Sequence, residues 1–295
     1  MKEIIILGGS GYVGNALISK LKIQKIKIRA MIHKKQINHT VKTFQGDITN
    51  LKSLEKNLHS NNIVVNLIGQ INNDQSTLYQ ENISGSINLL ESCVKKKIKN
   101  IIFISTINVY GNNIKKSSKE SDVTNPETYY ATIKLLTEQL YRYYSIKYKM
   151  NITILRLSNV YGPKKSLGLI GKLIKCSVSN TSCTLNHNGN QLRDFIFIDD
   201  VVNAIIKVII KNKKGFSIFN ISQGKRYKIN DVVDIIQHMT NKKIKIKKSS
   251  DKPDEKCLWA NNLKAKKELN FIPKISLKRG LSLTFKSIKT VETIN

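Results

Sequence analysis

Tyr130 and Lys134 stand four residues apart in a stretch with helical spacing, so both side chains project from one face of a helix. A tyrosine, with an ordinary pKa of about 10, becomes a usable base when a neighbouring ammonium and a cationic ring favour its phenolate. Thr106 closes the apolar run Ile101-Ile102-Phe103-Ile104 upstream, where its hydroxyl could donate to a reacting oxygen, and Ser105 lies beside it. The chain carries its own control. Tyr143 and Lys147 repeat the same spacing further along the same helix and read as surface. What sets Tyr130 apart is its place near the helix start and the hydroxyl of Thr106 at a strand end.

Such a pair needs a framework to hold it. The stretch Ile4-Ile5-Ile6-Leu7 is apolar throughout and β-branched at three positions, the pattern of a strand buried on both faces. Gly8, Gly11 and Gly14 follow at once, and Asn15 to Leu21 carries apolar residues at helical spacing. The glycines therefore occupy a strand-to-helix turn, the context a dinucleotide fingerprint requires. Gly8 allows the tight turn, Gly11 lets the backbone approach a pyrophosphate, and Gly14 lets the helix close onto the strand. The helix start then offers unpaired N–H groups and partial positive charge to phosphates. The alternative is a βα turn that holds no ligand.

Further strands are expected at Ile26–Ile32, which alternates, at Val41–Gln45, Ile152–Leu157 and Phe216–Ile221, and, as buried strands, at Ile63–Gly69 and Ile101–Ile104. Helices are expected from Glu81, from Glu127 to about Lys147, from Asp199 through Ile210 with an acid as its cap, and from Ile229 to Met239. Strands alternating with helices predict right-handed crossovers and a parallel, doubly wound sheet, whose ligands lie beyond the carboxyl ends of the strands. Gly8, Asp47, Gly69 and Thr106 would share that edge. Beyond Pro163 the alternation is lost, which suggests a smaller lobe. The expected division is residues 1–163 with 191–221 returning to them, and 164–190 with 222–295 as the lobe.

The second strand ends in His33-Lys34-Lys35, where a site that prefers NAD carries an acid for the ribose 2′-hydroxyl. Arg29, His33, Lys34 and Lys35 could accommodate a 2′-phosphate instead, so NADP is expected over NAD. The formal charge is +30, yet only six of the fifty basic residues are arginine, the residue best suited to bidentate phosphate and base contacts. The lysines are spread along the whole chain, so no specific nucleic-acid partner is expected, although a positive field can attract an anionic substrate. Cys93, Cys176, Cys183 and Cys257 lack metal-site spacing, so no metal is expected, and free thiols in a cytoplasm are the default. The first apolar run stops at glycine, too short for a signal peptide, and no run of eighteen apolar residues offers a membrane span.

The chain resembles the extended short-chain dehydrogenase/reductases, specifically the NAD(P)-dependent nucleotide-sugar epimerase/dehydratase group typified by UDP-glucose 4-epimerase. The resemblance spans nearly the whole length. It rests, in order, on Gly8-Gly9-Ser10-Gly11-Tyr12-Val13-Gly14, Gly46-Asp47-Ile48-Thr49, Glu81-Asn82-Ile83-Ser84-Gly85 and Ser105-Thr106-Ile107-Asn108-Val109-Tyr110-Gly111. Tyr130-Ala131-Thr132-Ile133-Lys134, Leu155-Arg156-Leu157-Ser158-Asn159-Val160-Tyr161-Gly162-Pro163 and Arg193-Asp194-Phe195-Ile196-Phe197-Ile198-Asp199-Asp200-Val201 complete it. It implies a Rossmann-type doubly wound α/β fold with a smaller C-terminal substrate lobe. It also implies hydride exchange between a nicotinamide and a sugar carbinol or ketone. Tyr130 would be the general base, Lys134 would hold the nicotinamide ribose, and Thr106 would hydrogen-bond the substrate oxygen. Gly8, Gly11, Tyr12, Val13, Gly14, His33, Lys34, Asp47, Ile48, Leu67, Gly69 and Asn82, with Tyr130 and Lys134, would line the cofactor. Ser105, Asn159 and Arg193 would face a nucleotide-diphosphate sugar, Arg193 clamping the diphosphate unless it pairs with Asp194 or Asp199. A homodimer through the Tyr130 helix and its neighbour from Asn82 to Lys95 is implied as well.

Dehydratases of this group carry an Asp-Glu pair directly after the catalytic Thr. Here Ile107 and Asn108 stand there, which argues against elimination. Three rivals remain: an NADPH reductase of a non-nucleotide carbonyl compound, a cofactor-binding assembly or sensor protein without turnover, and nucleic-acid binding through charge alone, which would be steeply salt-dependent.

Overall fold

The computed structural model describes residues 2–33, 41–69, 74–163, 168–185, 188–249 and 256–292. In chain order it begins β1 (Ile4–Leu7), α1 (Tyr12–Ile23), β2 (Ile28–Ile32), β3 (Lys42–Gln45), α2 (Leu51–Asn57) and β4 (Ile63–Asn66). Then come α3 (Gln75–Tyr79), a π-helical turn (Gln80–Ser84), α4 (Gly85–Lys95), β5 (Asn100–Thr106), a 3-10 turn (Ile107–Tyr110) and α5 (Tyr129–Tyr148). Next are β6 (Asn151–Leu157), β7 (Asn159–Tyr161), α6 (Leu169–Val178), β8 (Ser182–Leu185), β9 (Leu192–Arg193) and β10 (Phe195–Phe197). The chain closes with α7 (Ile198–Lys211), β11 (Phe216–Ile221), β12 (Tyr227–Lys228), α8 (Ile229–Thr240), β13 (Lys245–Lys248), β14 (Cys257–Leu258), α9 (Leu263–Leu269) and α10 (Leu277–Glu292).

A seven-stranded sheet runs in the order β11-β6-β5-β4-β1-β2-β3. Its β3-β2, β2-β1, β1-β4 and β4-β5 pairs are parallel, with Ile5 opposite Arg29 on one side and Val64 on the other. The order reverses between β1 and β4, so this is the doubly wound Rossmann-type arrangement that the alternation predicts, with its crevice at the carboxyl ends of those two strands. Ile5, Leu7, Val64, Phe103, Ile152 and Ile154 from the strands meet Leu89, Leu90 and Tyr141 from the helices in one core. Each fully buried aliphatic side chain of this kind contributes about 1.5–3 kcal/mol.

The chain gathers into two compact units: Met1–Val109 with Thr124–Arg156 and Val202–Phe219, and Tyr110–Val123 with Leu157–Val201 and Asn220–Asn295. The division differs from the sequence-based one in placing 110–123, 157–163, 191–201 and 220–221 in the second unit. β6, α7 and β11 each run from one unit into the other, so no linker with a change of composition marks the passage.

In the second unit β7 pairs in parallel with β10, β9 lies between β12 and β14, and β8 pairs with β13. Tyr161 sits edge-on to Phe195 and Phe197, and its hydroxyl presses on Gly280 of α10, where a Cβ would collide with it. Asp200 departs from expectation. Its carboxylate does not cap α7; it accepts the N–H groups of Lys274 (2.9 Å) and Ile275 (3.1 Å) and so ties down the segment ahead of α10. A helix-starting acid and an acid spent on a distant loop look alike in sequence.

Candidate functional site

The glycine turn has the form its spacing demands. Gly8 has φ +79°, a conformation L side chains rarely adopt, and its carbonyl accepts the Gly11 N–H at 3.0 Å. A Cβ on Gly14 would run into the Gly8 carbonyl and the Gly9 backbone, so only glycine lets α1 close on the strand end. Gly11 is the N-cap of α1 and supplies no side-chain cap, and no acid stands in the first turn. Tyr12 and Val13 open that turn. The backbone amides at this helix start thus face the carboxyl edge of the sheet with positive partial charge.

At the β2 and β3 ends, Asp47 Oδ1 accepts both the N–H and the hydroxyl of Thr49, each at 2.8 Å, and Oδ2 lies 3.5 Å from Nε2 of His33. Ile48 is buried beside Gly85 of α4, whose missing Cβ leaves room for it. Arg29 requires a correction. It sits near the start of β2 rather than its end, with its guanidinium on the Asn57 carbonyl (2.5 Å) and Glu3 (3.5 Å) and over the Phe44 ring. It therefore belongs to the fabric of the sheet and offers nothing to a 2′-phosphate. Lys34 and Lys35 lie outside the described residues.

The end of β4 is the most constrained part of the unit. Asn66 donates to the Tyr141 hydroxyl at 2.9 Å and accepts the Ile68 N–H at 3.0 Å, which fixes the turn through Leu67. Gly69 has φ +117°, and a Cβ there would strike both Asn82 Oδ1 and Lys134 Nζ. Asn82 belongs to the π-helical turn and donates to the Leu78 carbonyl at 2.8 Å, while its Oδ1 is buried with no hydrogen-bond partner. An orphaned buried acceptor is costly and calls for a donor. Gly69, Asn82 and Lys134, distant in sequence, thus converge on one spot.

Thr128 caps α5 by accepting the Ala131 N–H at 3.2 Å, which starts the helix at Tyr129 and puts Tyr130 in its first turn. Lys134 is 2% exposed. Its ammonium donates to the Ile68 (3.2 Å) and Ile104 (3.1 Å) carbonyls and lies 4.7 Å from the centre of the Phe103 ring. Burial pulls its pKa down to about 7, with Glu138 and Glu81 acting in the opposite direction. Tyr130 is half-buried, and burial pushes its phenol above the ordinary value. Thr106 is buried at the end of β5, its Oγ1 accepting the Asn108 N–H at 3.2 Å. The control pair behaves as surface: Lys147 donates to the Tyr143 hydroxyl at 2.9 Å, and both side chains are exposed. The Ser105 side chain is turned to α5. Its hydroxyl donates to Glu138 at 2.5 Å, inside the buried ion pair that Glu138 makes with Arg156 (2.6 Å).

In the second unit Asn159 donates its backbone N–H and its side-chain amide to the Asp194 carbonyl, each at 3.0 Å. Arg193, on β9, donates to the Leu192 (3.0 Å) and Lys256 (2.8 Å) carbonyls. The Asp194 carboxylate accepts the Gln223 and Gly224 N–H groups, each at 3.0 Å, while burial raises its pKa to about 7. The folded chain therefore holds this proton more tightly than the unfolded chain. Stability contributed at Asp194 is present at low pH and lost as pH rises from about 4 to about 7. Urea unfolding across that range should show this slope in the wild type and lose it in Asp194→Asn; equal slopes would mean that Asp194 does not titrate there.

Sequence reading missed Arg226, which lies over the Trp259 ring at 4.8 Å and donates to the Ile114 carbonyl at 2.8 Å. It precedes Tyr227, the strand partner of Arg193, a pairing no local pattern announces. It also missed the π-helical turn, although Asn82 was singled out. Among the described residues no group of three or more His, Cys, Asp or Glu side chains is arranged to hold a metal ion.

The sequence model of the NAD dependent epimerase/dehydratase family matches residues 4–222. The UDP-glucuronate 4-epimerase of Thermodesulfobacterium geofontis is 30% identical over 253 residues, covering 82% of this chain and 78% of that one. A dTDP-D-glucose 4,6-dehydratase of Dictyostelium discoideum is 29% identical over 273 residues, covering 82% of this chain and 62% of its own length. Among solved structures, the UDP-glucuronic acid 4-epimerase of Bacillus cereus in complex with UDP-glucuronic acid and NAD superimposes with a TM-score of 0.88 at 25% identity, over 98% of this chain and 99% of that one.

Proposed function

The chain belongs to the NAD dependent epimerase/dehydratase family, and from that membership we propose that it is a 4-epimerase of a UDP-sugar, working with tightly held NAD. The observation that carries this reading is the convergence of Lys134, Gly69 and Asn82 beside the glycine turn of the same unit, with Tyr130 one helical turn ahead of Lys134. These residues fit a dinucleotide: an uncapped helix start for the pyrophosphate and an orphaned acceptor at Asn82, with Gly14 and Gly69 allowing the close packing that brings helix start, Asn82 and Lys134 to this edge. Asp47 would take the adenosine ribose, with Ile48 and Leu67 against the adenine side, and Lys134 the nicotinamide ribose. NAD, when bound, supplies the hydride acceptor and donor and a cationic ring.

Tyr130 then takes the proton of the sugar hydroxyl as the carbinol C–H is oxidised, and returns it on reduction. Thr106 donates to the same oxygen. The Lys134 ammonium, together with the positive ring that NAD would bring, would draw the half-buried phenol down into a range where it can act. Arg193, with Arg226 one strand away, would hold the diphosphate, and Asn159 would contact the phosphate side of the substrate. Ile107 is buried and Asn108 carries no carboxylate, which supports epimerisation over elimination even though the relatives include a dehydratase. NADP lost support with Arg29; His33 beside Asp47 suits a free 2′-hydroxyl at least as well.

The four cysteines are buried and free, in keeping with a cytoplasmic location, and no helix among the described residues is long and apolar enough to cross a membrane. Leu136 and Ile146 on α5 and Ile87 on α4 are exposed, which supports a homodimer through these two helices. The test uses two portions of purified protein: one is denatured to release and identify any bound cofactor, and the other, kept native, is incubated with UDP-glucose or UDP-glucuronic acid alone. Retained NAD and C4 interconversion without added reductant are expected. Stoichiometric consumption of NADPH would make it a reductase, a 4-keto-6-deoxy product a dehydratase, and binding of no nicotinamide a non-catalytic protein.

A further inference from the structure

Helix α5 is fastened to β5 by a ladder of consecutive residues. Lys134 donates to the carbonyl of Ile104, and one turn later Glu138 accepts the hydroxyl of Ser105. Thr106 is the next residue on that strand. One further step along the helix, Tyr141 stacks on Phe103 with ring centres 4.5 Å apart, and Phe103 is the ring that Lys134 overlies. Three successive residues of β5, Phe103, Ile104 and Ser105, are thereby set against one face of the helix that carries Tyr130, with Thr106 following directly on the strand.

Glu138 is the charged centre of this ladder. It is 1% exposed, and Arg156 of β6 reaches it through Nε (3.0 and 3.2 Å) and through a second guanidinium nitrogen (2.6 Å). Packing alone does not need such a group, because apolar residues of similar volume serve a core as well as a buried ion pair or better. The charges near Lys134 show what the group can do. Burial works against the ammonium, and among the described residues the anions acting on it are Glu138 on its own helix and Glu81 from the π-helical turn. Tyr130 and Tyr141 are the other titratable groups of this helix face, and Arg156 is the cation behind Glu138.

We propose that Glu138 is a positioning residue for the reaction: clamped by Arg156 and Ser105, its carboxylate keeps Lys134 an ammonium and sets Thr106 and Tyr130 in register. The inference rests on the assignment of Tyr130, Lys134 and Thr106 to the chemistry. It places Ser105 in the support of the site rather than in contact with substrate. Loss of a carboxylate one helical turn away lowers the pKa of a buried lysine by about one unit or more.

The test reads Lys134 directly, by 13Cε NMR of lysine-labelled full-length protein between pH 5 and 10. In the wild type one lysine is expected to titrate near 7, set apart from the rest, and to vanish in Lys134→Met. In Glu138→Gln its midpoint should fall by about one unit. Should that variant not fold, Glu138→Leu with Arg156→Met removes both charges without orphaning either. Its midpoint should still fall, by less, because Glu138 is on the helix of Lys134 and Arg156 lies beyond it. A wild-type midpoint in whichever variant folds overturns the proposal. The spectrum needs neither cofactor nor substrate, so a protein that converts no UDP-sugar would undo the epimerase reading while leaving this result to stand or fall alone.

Discussion

Tyr130→Phe is expected to lower kcat for C4 interconversion of a UDP-sugar by about 10²–10⁴-fold, the contribution a positioned acid–base group makes. The ring is retained, so the packing of the first turn of α5 and its Thr128 cap should persist. Lys134 is anchored on the Ile68 and Ile104 carbonyls and not through Tyr130, so affinity for NAD should change only a few-fold. The split between lost turnover and kept cofactor affinity is the informative part. It can be read from single-turnover assays beside a fluorescence titration with NADH. Full turnover in the variant would remove Tyr130 from the chemistry, and joint loss of turnover and affinity would point to damage at the helix start instead. Tyr143→Phe, the same substitution at the exposed control pair, should leave both quantities at wild-type values.

Arg156→Met should cost about 3–5 kcal/mol of stability, because it leaves the Glu138 carboxylate buried without its cation. The structure makes this site severe: both partners are nearly inaccessible, and the bond network ties β5, β6 and α5 together. Adding Glu138→Leu should recover most of the loss, since an apolar pair of similar volume avoids the desolvation of either ion. Urea unfolding of the two single variants and the double supplies the cycle. A loss below about 1 kcal/mol for Arg156→Met would mean that water reaches the pair and that it behaves as a surface ion pair.

Much of this protein was legible in its sequence because the signals are local. Buried parallel strands announce themselves as short apolar runs, and Phe216–Ile221 was found to the residue. The glycine turn is legible because Gly8 and Gly14 are demanded by backbone geometry, which no other residue type meets. Tyr130 and Lys134 are four apart on one helix, so their shared face follows from the helical repeat alone. Departures of a residue or two at element ends have local causes too, as where the Thr128 cap starts α5 at Tyr129 and not at Glu127.

What the sequence could not determine depends on partners far away along the chain. Arg29 reads as a strand-end cation until the fold pairs it with Glu3 and the Asn57 carbonyl. Asp200 reads as a helix cap until the segment at Lys274 and Ile275 arrives to claim it. Ser105, next to a reactive threonine, reads as a substrate contact until α5 and β6 bring Glu138 and Arg156 to its hydroxyl. In each case the residue type specifies a hydrogen-bonding or charge capacity, and burial obliges that capacity to be met. Which group meets it is decided by the crossovers that bring distant strands and helices together, and that is a property of the tertiary structure alone.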